Sequence, residues 1–238
     1  MPTFRATTRA AVPRKSMRPR WRIGWAIAAL FCLGLFALLA AVWAATRTPE
    51  FYVRATDRDA VRPERQGDEL ERRTLELRNA ARRPGDWTYV IDEDELNGWL
   101  TRNLSQEFPR ALPESLGSPR VSIGEEGIRV GCVYRESRFE VVLSVEVDVY
   151  LTEDSRSVAI EFRSLRAGLL PLPMDRLLVP LQEATRKQEA PVRWSQTGRR
   201  PMALWTIPER PTELGGRRVT LERIELRAGQ LVAIGRSE

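Results

Sequence analysis

The acidic run Asp92-Glu93-Asp94-Glu95 is the densest cluster of side chains in this chain that could do chemistry. Carboxylates this close together could bind a cation or act as a general acid/base pair. The same residues suit the first turn of a helix, where negative charge complements the helix dipole. Leu96 stands where a calcium loop needs an oxygen ligand, so the helix N-terminus is the favoured interpretation.

Most other catalytic chemistry is excluded by composition. The chain has no histidine, which excludes histidine-dependent triads and histidine-containing zinc sites. Neither Cys32 nor Cys132 has a partner at metal-ligand spacing, and no glycine-rich phosphate loop occurs. Lys187 and Ser195 could be a base and a nucleophile, but nothing around the lysine suggests the burial that this role needs. We therefore expect no enzyme, no metal and no cofactor, with a carboxylate-based hydrolase as a minor alternative.

The N-terminal part of the chain combines a basic tail with an apolar span. Residues 1–22 carry seven positive and no negative charges, and residues 23–45 carry no charge. As a helix the span would be about 34 Å long, enough to cross a hydrocarbon core of about 30 Å. The positive-inside rule predicts a cytoplasmic tail and export of everything after residue 45 across the inner (plasma) membrane. The predicted anchor residues are Ile23, Trp25, Gly34, Trp43 and Ala45.

A cleaved signal peptide is the alternative for this span. Signal peptides usually have apolar regions of about 7–15 residues, and this span is longer. Trp25 and Trp43 near its two ends are typical of the aromatic belts of a retained membrane helix. Retention is therefore the favoured interpretation.

The exported part is almost neutral, with 31 of the 38 basic residues against 32 acidic ones. The basic excess lies in the tail, where anionic cytoplasmic lipid is the expected partner. We expect no nucleic-acid partner. Oligomeric state does not follow from the sequence.

Residues 46–66 are polar, contain two prolines, and are predicted to be a juxtamembrane connector. Residues 67–238 are predicted to form one α+β domain. Residues 138–151 alternate strongly between apolar and polar side chains, with further alternating strands before and after them and only short turns between. This pattern predicts a long curved antiparallel sheet, packed on one or two helices.

An apolar stretch follows the third of these strands, and its candidate contact residues are Leu169, Leu170, Leu172 and Met174. One interpretation is an exposed apolar lip that touches lipid or a partner. The other, which is favoured, is a buried connection in which Pro173 helps to begin the next helix.

Two short motifs, at residues 91–97 and 164–173, resemble those of the YpmS-like family of bacterial envelope proteins. The resemblance covers most of residues 89–188. It implies an N-terminal membrane helix followed by one exported α+β domain, and it brings no established activity.

These observations lead to a functional expectation. A long curled sheet with a helix across one face often leaves an elongated apolar groove. We expect a non-enzymatic, membrane-anchored envelope protein that binds lipid or another apolar ligand in this groove. The alternative is a scaffold or accessory subunit of an envelope protein complex.

Overall fold

The computed structural model describes residues 20–59, 63–107, 113–137, 139–187, 190–197, 200–208, 210–211 and 216–238. The chain divides into two units, Met1–Ala41 and Val42–Glu238, and most of the predicted basic tail lies outside the described residues. The fold is α+β with a large antiparallel sheet, as the sequence predicts.

The helices are α1 (Arg20–Thr46), α2 (Glu50–Asp59), α3 (Pro63–Ala81), α4 (Glu93–Arg102), α5 (Leu104–Glu107) and α6 (Asp175–Lys187). The strands are β1 (Gly85–Asp92), β2 (Leu116–Gly124), β3 (Gly127–Glu136), β4 (Phe139–Leu151), β5 (Ser157–Ala167), β6 (Leu170–Leu172), β7 (Val192–Thr197), β8 (Arg200–Thr206), β9 (Val219–Arg227) and β10 (Gln230–Ser237).

Helix α1 contains the whole predicted apolar span. It is long and apolar enough to cross a membrane. The large apolar side chains that the structure describes in it, from Leu30 to Trp43, are exposed. A helix of this length whose described large apolar side chains are exposed is unusual for water and suited to lipid.

The larger sheet has the strand order β2-β3-β4-β5-β8-β7, with β6 paired to the end of β5. Every neighbouring pair is antiparallel. The predicted hairpins around residues 138–151 are confirmed, because β4 pairs with β3 on one side and β5 on the other.

One face of this sheet is apolar and is covered by α6. Leu178 of α6 is buried against Val147, Phe162 and Ala203, and the ring of Trp194 stacks on Phe162 with their centroids 5.9 Å apart. The chain's own helix thus occupies much of the apolar face that the sequence analysis assigned to a ligand groove.

The opposite face carries polar and charged side chains and is partly covered by α2. Phe51 and Tyr52 of α2 are buried against Val133 and Val142, and Ala55 is also buried. Residues 46–66 were predicted to be a polar connector, and the structure differs there because a ten-residue helix packs into the domain. The short apolar patch of α2 is buried because it packs against the sheet.

A separate sheet of three described strands, in the order β1-β10-β9, joins the predicted first strand to the end of the chain. Asp92 ends β1 and caps α4 by accepting a hydrogen bond from the backbone N–H of Asp94 at 3.0 Å. Asn97 of α4 is buried and binds both the N–H and the C=O of Val121 at 2.8 Å, which fixes α4 to the edge strand β2.

Candidate functional site: the junction at the end of the apolar helix

The β5–β6 hairpin turns at Gly168 and Leu169, since Ala167 pairs with Leu170 across it. Gly168 has a φ of +57°, a left-handed conformation that glycine adopts at little cost. Its N–H donates to the carbonyl of Val142 at 2.8 Å, which continues the sheet into the turn. The hairpin tip is therefore a fixed part of the sheet.

This tip packs directly against the last turn of α1. The N–H of Leu169 donates to the carbonyl of Ala44 at 2.9 Å. A Cβ at Gly168 would lie 2.6 Å from the carbonyl oxygens of Ala44 and Arg47 and would also clash with that of Ala45. We call these five residues the helix–sheet junction. Only glycine fits at its centre.

The junction satisfies backbone groups that a helix end leaves unpaired. The last carbonyls of a helix have no partner within the helix and need one elsewhere. Here Ala44 accepts from Leu169, and the hydroxyl of Thr46 donates to the carbonyl of Trp43 at 3.0 Å. The guanidinium of Arg47 lies 4.2 Å from the ring centroid of Trp43. Backbone contacts thus hold the end of α1 to the sheet, in addition to the covalent connection through the chain.

A groove of about 280 Å³ opens beside the junction on the charged face of the sheet. We call it the junction groove. Arginine and serine side chains line it, together with the tip of the β5–β6 hairpin. The residues are Pro49, Phe51, Arg129, Ser144, Val145, Glu146, Ser164, Arg166, Gly168 and Leu169.

Helix α2 forms one wall of this region and is firmly held. Tyr52 donates its hydroxyl to the carbonyl of Ser118 at 2.6 Å, and burial raises the pKa of this phenol, so it remains a neutral donor. Gly131 lies beneath it, where a Cβ would approach the Tyr52 ring to 2.8 Å. Helix α2 can therefore pack this closely on β3 because Gly131 has no side chain.

The predicted lip residues lie partly in this region. Leu169 is at the hairpin tip with 51% of its surface exposed. Leu170 and Leu172 are half-buried in β6, and Met174 packs against the cluster around Leu178. The structure thus separates one exposed leucine at the junction from three residues that belong to strand and core packing.

The predicted anchor residues all lie in α1, and only some of them reach the junction. Ile23 and Trp25 are in its first two turns. Apart from the adjacent turns of the helix itself, no described heavy atom lies within 4 Å of a Cβ built at Gly34. Trp43 is 57% exposed, and Ala45 belongs to the junction.

The acidic run on α4 is part of the structural framework. Glu93 accepts from the N–H of Ile123 at 2.6 Å, and Glu95 forms an ion pair of 3.1 Å with Arg73. Burial raises the pKa of Glu95 above its ordinary value. In the part of the chain that the structure describes, no group of three or more acidic or cysteine side chains could hold a metal ion.

Lys187 and Ser195 do not form a dyad. Both side chains are exposed, and among the described residues no hydrogen bond joins them. Both cysteines are free thiols.

Comparison with known proteins adds no assignment: no family model, no curated protein and no solved structure matches this chain. The resemblance to the YpmS-like family therefore stays a prediction.

Arg129 and Arg166 of the junction groove were missed by sequence reasoning. The alternation of β3 and β4 already assigns Arg129 and Glu146 to the same polar face. The partner strands and the hairpin tip that complete the groove come from distant parts of the chain, and no local pattern joins them.

Proposed function

We propose that this protein is a single-pass, non-enzymatic protein of the bacterial envelope whose exported domain engages lipid at the surface of the membrane that anchors it. In this proposal α1 crosses the inner membrane, the basic tail stays in the cytoplasm, and the domain lies on the far side. The charge asymmetry around the apolar span supports this orientation.

The observation that carries the proposal is the contact between the hairpin tip and the end of the apolar helix. Residues 43–45 are the last uncharged residues of the span, so they lie at the bilayer interface if the span crosses the membrane. Gly168 and Leu169 touch Ala44 and Ala45. The sheet then stands against the lipid surface, with the exposed side chain of Leu169 facing the interface.

The chemistry of the described side chains supports a binding role over catalysis. The carboxylates of α4 are held by backbone and arginine partners, so they are not available as an acid/base pair. On the charged face, arginines pair with carboxylates of the neighbouring strand, as is typical of a solvated sheet. Arg163 and Asp148, for example, form an ion pair of 2.5 Å.

The place of lipid contact differs from the groove that the sequence suggests. Since α6 fills much of the apolar face with Leu178 and its neighbours, an acyl chain would have to displace the helix. The junction requires no such movement, because its exposed leucine and its groove are already open. We therefore place lipid engagement at the junction.

The test is site-specific photocrosslinking in intact cells. A photoreactive amino acid replaces Leu169 in one variant and Val179 of α6 in a second, matched variant, since the two side chains are 51% and 53% exposed. Mass spectrometry of the purified full-length protein should find a lipid adduct at position 169 and none at position 179. The absence of a lipid adduct at 169 would reject the proposal.

A scaffold function is the second candidate, favoured by the far edge of the larger sheet. Strand β7 is an edge strand, Trp205 beside it is 52% exposed, and an open hollow of about 710 Å³ lies between β7 and α6. Exposed apolar side chains next to a sheet edge suit an extended segment of a partner protein. A protein adduct at position 179, with no lipid adduct at 169, would favour this function.

A further inference from the structure

Two arginines of the junction groove have no counter-ion among the described residues. Arg129 of β3 and Arg166 of β5 are both exposed on the charged face. Across the residues that the structure describes, neither guanidinium forms an ion pair or a hydrogen bond, whereas Arg135, Arg163 and Arg200 on this face are paired with carboxylates. Two unpaired guanidinium groups beside one groove favour an anionic ligand.

The sheet geometry brings both arginines within reach of one small anion. Arg129 is opposite Glu146, and Glu146 is opposite Ser164, while Arg166 is one position further along β5 on the same face, opposite Ser144. Two strands at about 4.8 Å and an offset of two residues separate the two Cβ atoms by about 12 Å. An extended arginine side chain spans about half of that distance, so both guanidinium groups can contact one tetrahedral phosphate.

Packing against Phe51 orients the guanidinium of Arg129. The guanidinium of Arg129 lies 5.5 Å from the ring centroid of Phe51, although Glu146 is its direct cross-strand neighbour. Such a stacked guanidinium keeps its N–H groups available at its edge. The hydroxyl of Ser144 adds a further donor to the same groove.

Glu146 is the single acidic residue in the groove lining, and it is already engaged. Its carboxylate lies 3.8 Å from Arg163 and 3.5 Å from the hydroxyl of Ser164. With two arginines against one partly neutralised carboxylate, the lining has a net positive charge. The groove therefore prefers an anion to a cation or a neutral ligand.

We infer that the junction groove binds the phosphate of a bilayer phospholipid headgroup, with Arg129 and Arg166 donating hydrogen bonds to its oxygens. The inference rests on the proposed function, because it takes the groove to border the lipid surface. Leu169, whose N–H donates to the carbonyl of Ala44, also lines the groove, so a headgroup held there lies beside the last turn of α1. A free phosphate compound has the same charged chemistry, and the experiment separates the two sources.

The experiment measures binding of fluorescent phosphatidylglycerol to the full-length protein in detergent. The test variant is R129Q/R166Q. The matched control is R176Q/R193Q, which removes the same charge from two exposed arginines that have no ion-pair partner among the described residues. We expect the apparent Kd to rise about tenfold or more in the test variant, from the loss of charged hydrogen bonds, and to stay within about twofold in the control.

Two further measurements identify the ligand source and guard against misfolding. Diacylglycerol, which has no phosphate, should not compete, and glycerol 1-phosphate should compete only at far higher concentration than the lipid. The variant R129K/R166K keeps both charges and should bind more tightly than R129Q/R166Q but more weakly than the wild type, because lysine does not reproduce the guanidinium contacts. Far-UV circular dichroism of all variants should match that of the wild type.

The outcomes separate the two proposals. Wild-type binding that R129Q/R166Q leaves unchanged would reject this site and leave lipid engagement standing. No binding of phosphatidylglycerol by any variant would count against both proposals. Glycerol 1-phosphate binding as tightly as the lipid would overturn the headgroup assignment in favour of a free phosphate ligand.

Discussion

The two faces of the larger sheet have opposite chemistry and different cover. Helix α6 closes the apolar face with Leu178, while α2 covers only part of the charged face and leaves the junction groove open. The apolar face thus stabilises the domain, and the charged face, where the sheet meets the end of α1, is available for binding. A strongly apolar strand face indicates a core more reliably than a ligand site.

The largest expected effect is on the closed face. Leu178→Ala removes a buried side chain that is 7% exposed and should lower the free energy of unfolding by about 2–4 kcal/mol. Urea unfolding of the full-length protein in detergent, followed by tryptophan fluorescence, measures this loss. The neighbouring change Val179→Ala, at a position 53% exposed, should cost less than about 0.5 kcal/mol. Equal losses in the two variants would show that α6 does not close this face.

The junction gives the next largest effect. Gly168→Ala places a methyl group against three backbone carbonyls at a positive φ and should cost about 2–3 kcal/mol or detach the hairpin tip from α1. Limited proteolysis and urea unfolding would report the change.

The matched control for this substitution is Gly229→Ala. Gly229 has a φ of +76° with no heavy atom within 4 Å of a built Cβ, so it tests the backbone cost without the clash. The control should lose about 1 kcal/mol. If the two variants lose the same stability, the hairpin tip does not contact the helix end as described.

The packing of α2 on the charged face should be sensitive to a smaller change. Gly131→Ala brings a methyl group to 2.8 Å from the Tyr52 ring and 3.1 Å from Phe51, and should cost about 1–2 kcal/mol by overpacking. Gly124→Ala, whose new methyl group would have only an ordinary contact of 3.5 Å, is the control and should cost less. Hydrogen exchange of residues 50–59 should rise only in the first variant. Unchanged exchange there would contradict the packing of α2 on the sheet.

The smallest effect concerns the pH dependence of stability. Burial raises the pKa of Glu95 above its ordinary value of 4.5, despite the ion pair with Arg73. The folded state therefore favours the protonated acid, and its contribution to stability is present below pH 4.5 and is lost as the pH rises through the folded pKa. Glu95→Gln should become more stable relative to the wild type across that pH range.

Urea titrations at several pH values test this expectation, with Glu183→Gln on the exposed surface of α6 as the control. Parallel pH profiles for wild type and Glu95→Gln would show that the raised pKa of Glu95 has no effect on folding.

The sequence predicted the elements whose signals are local. The alternation of residues 138–151 predicted β4 and its hairpins, and Asp92 marked the beginning of α4. Helix α2 was missed because its buried residues Phe51, Tyr52 and Ala55 form a short patch in a polar, proline-flanked segment. That patch is meaningful only beside Gly131, about 80 residues later.

The site was predictable only in fragments. Leu169 was named as a candidate lip residue, although a buried connection was the favoured interpretation, and the role of Gly168 depends on carbonyls more than 120 residues away in the chain. The role proposed for Arg129 and Arg166 rests on strand register and on the lack of counter-ions among the described residues. Such properties arise from tertiary structure, so composition and spacing could not reveal them.

The most direct test of the central proposal measures the depth of residue 169 in a bilayer. A nitroxide label is attached to Leu169→Cys, or to Val179→Cys as the control, in full-length protein that carries Cys32→Ala and Cys132→Ala and is reconstituted in nanodiscs. If the junction holds the sheet against the membrane, the label at 169 should collide more often with oxygen than with a water-soluble nickel chelate. The label at 179 should show the opposite preference. Equal exposure of both labels to the nickel chelate would contradict a junction at the bilayer surface.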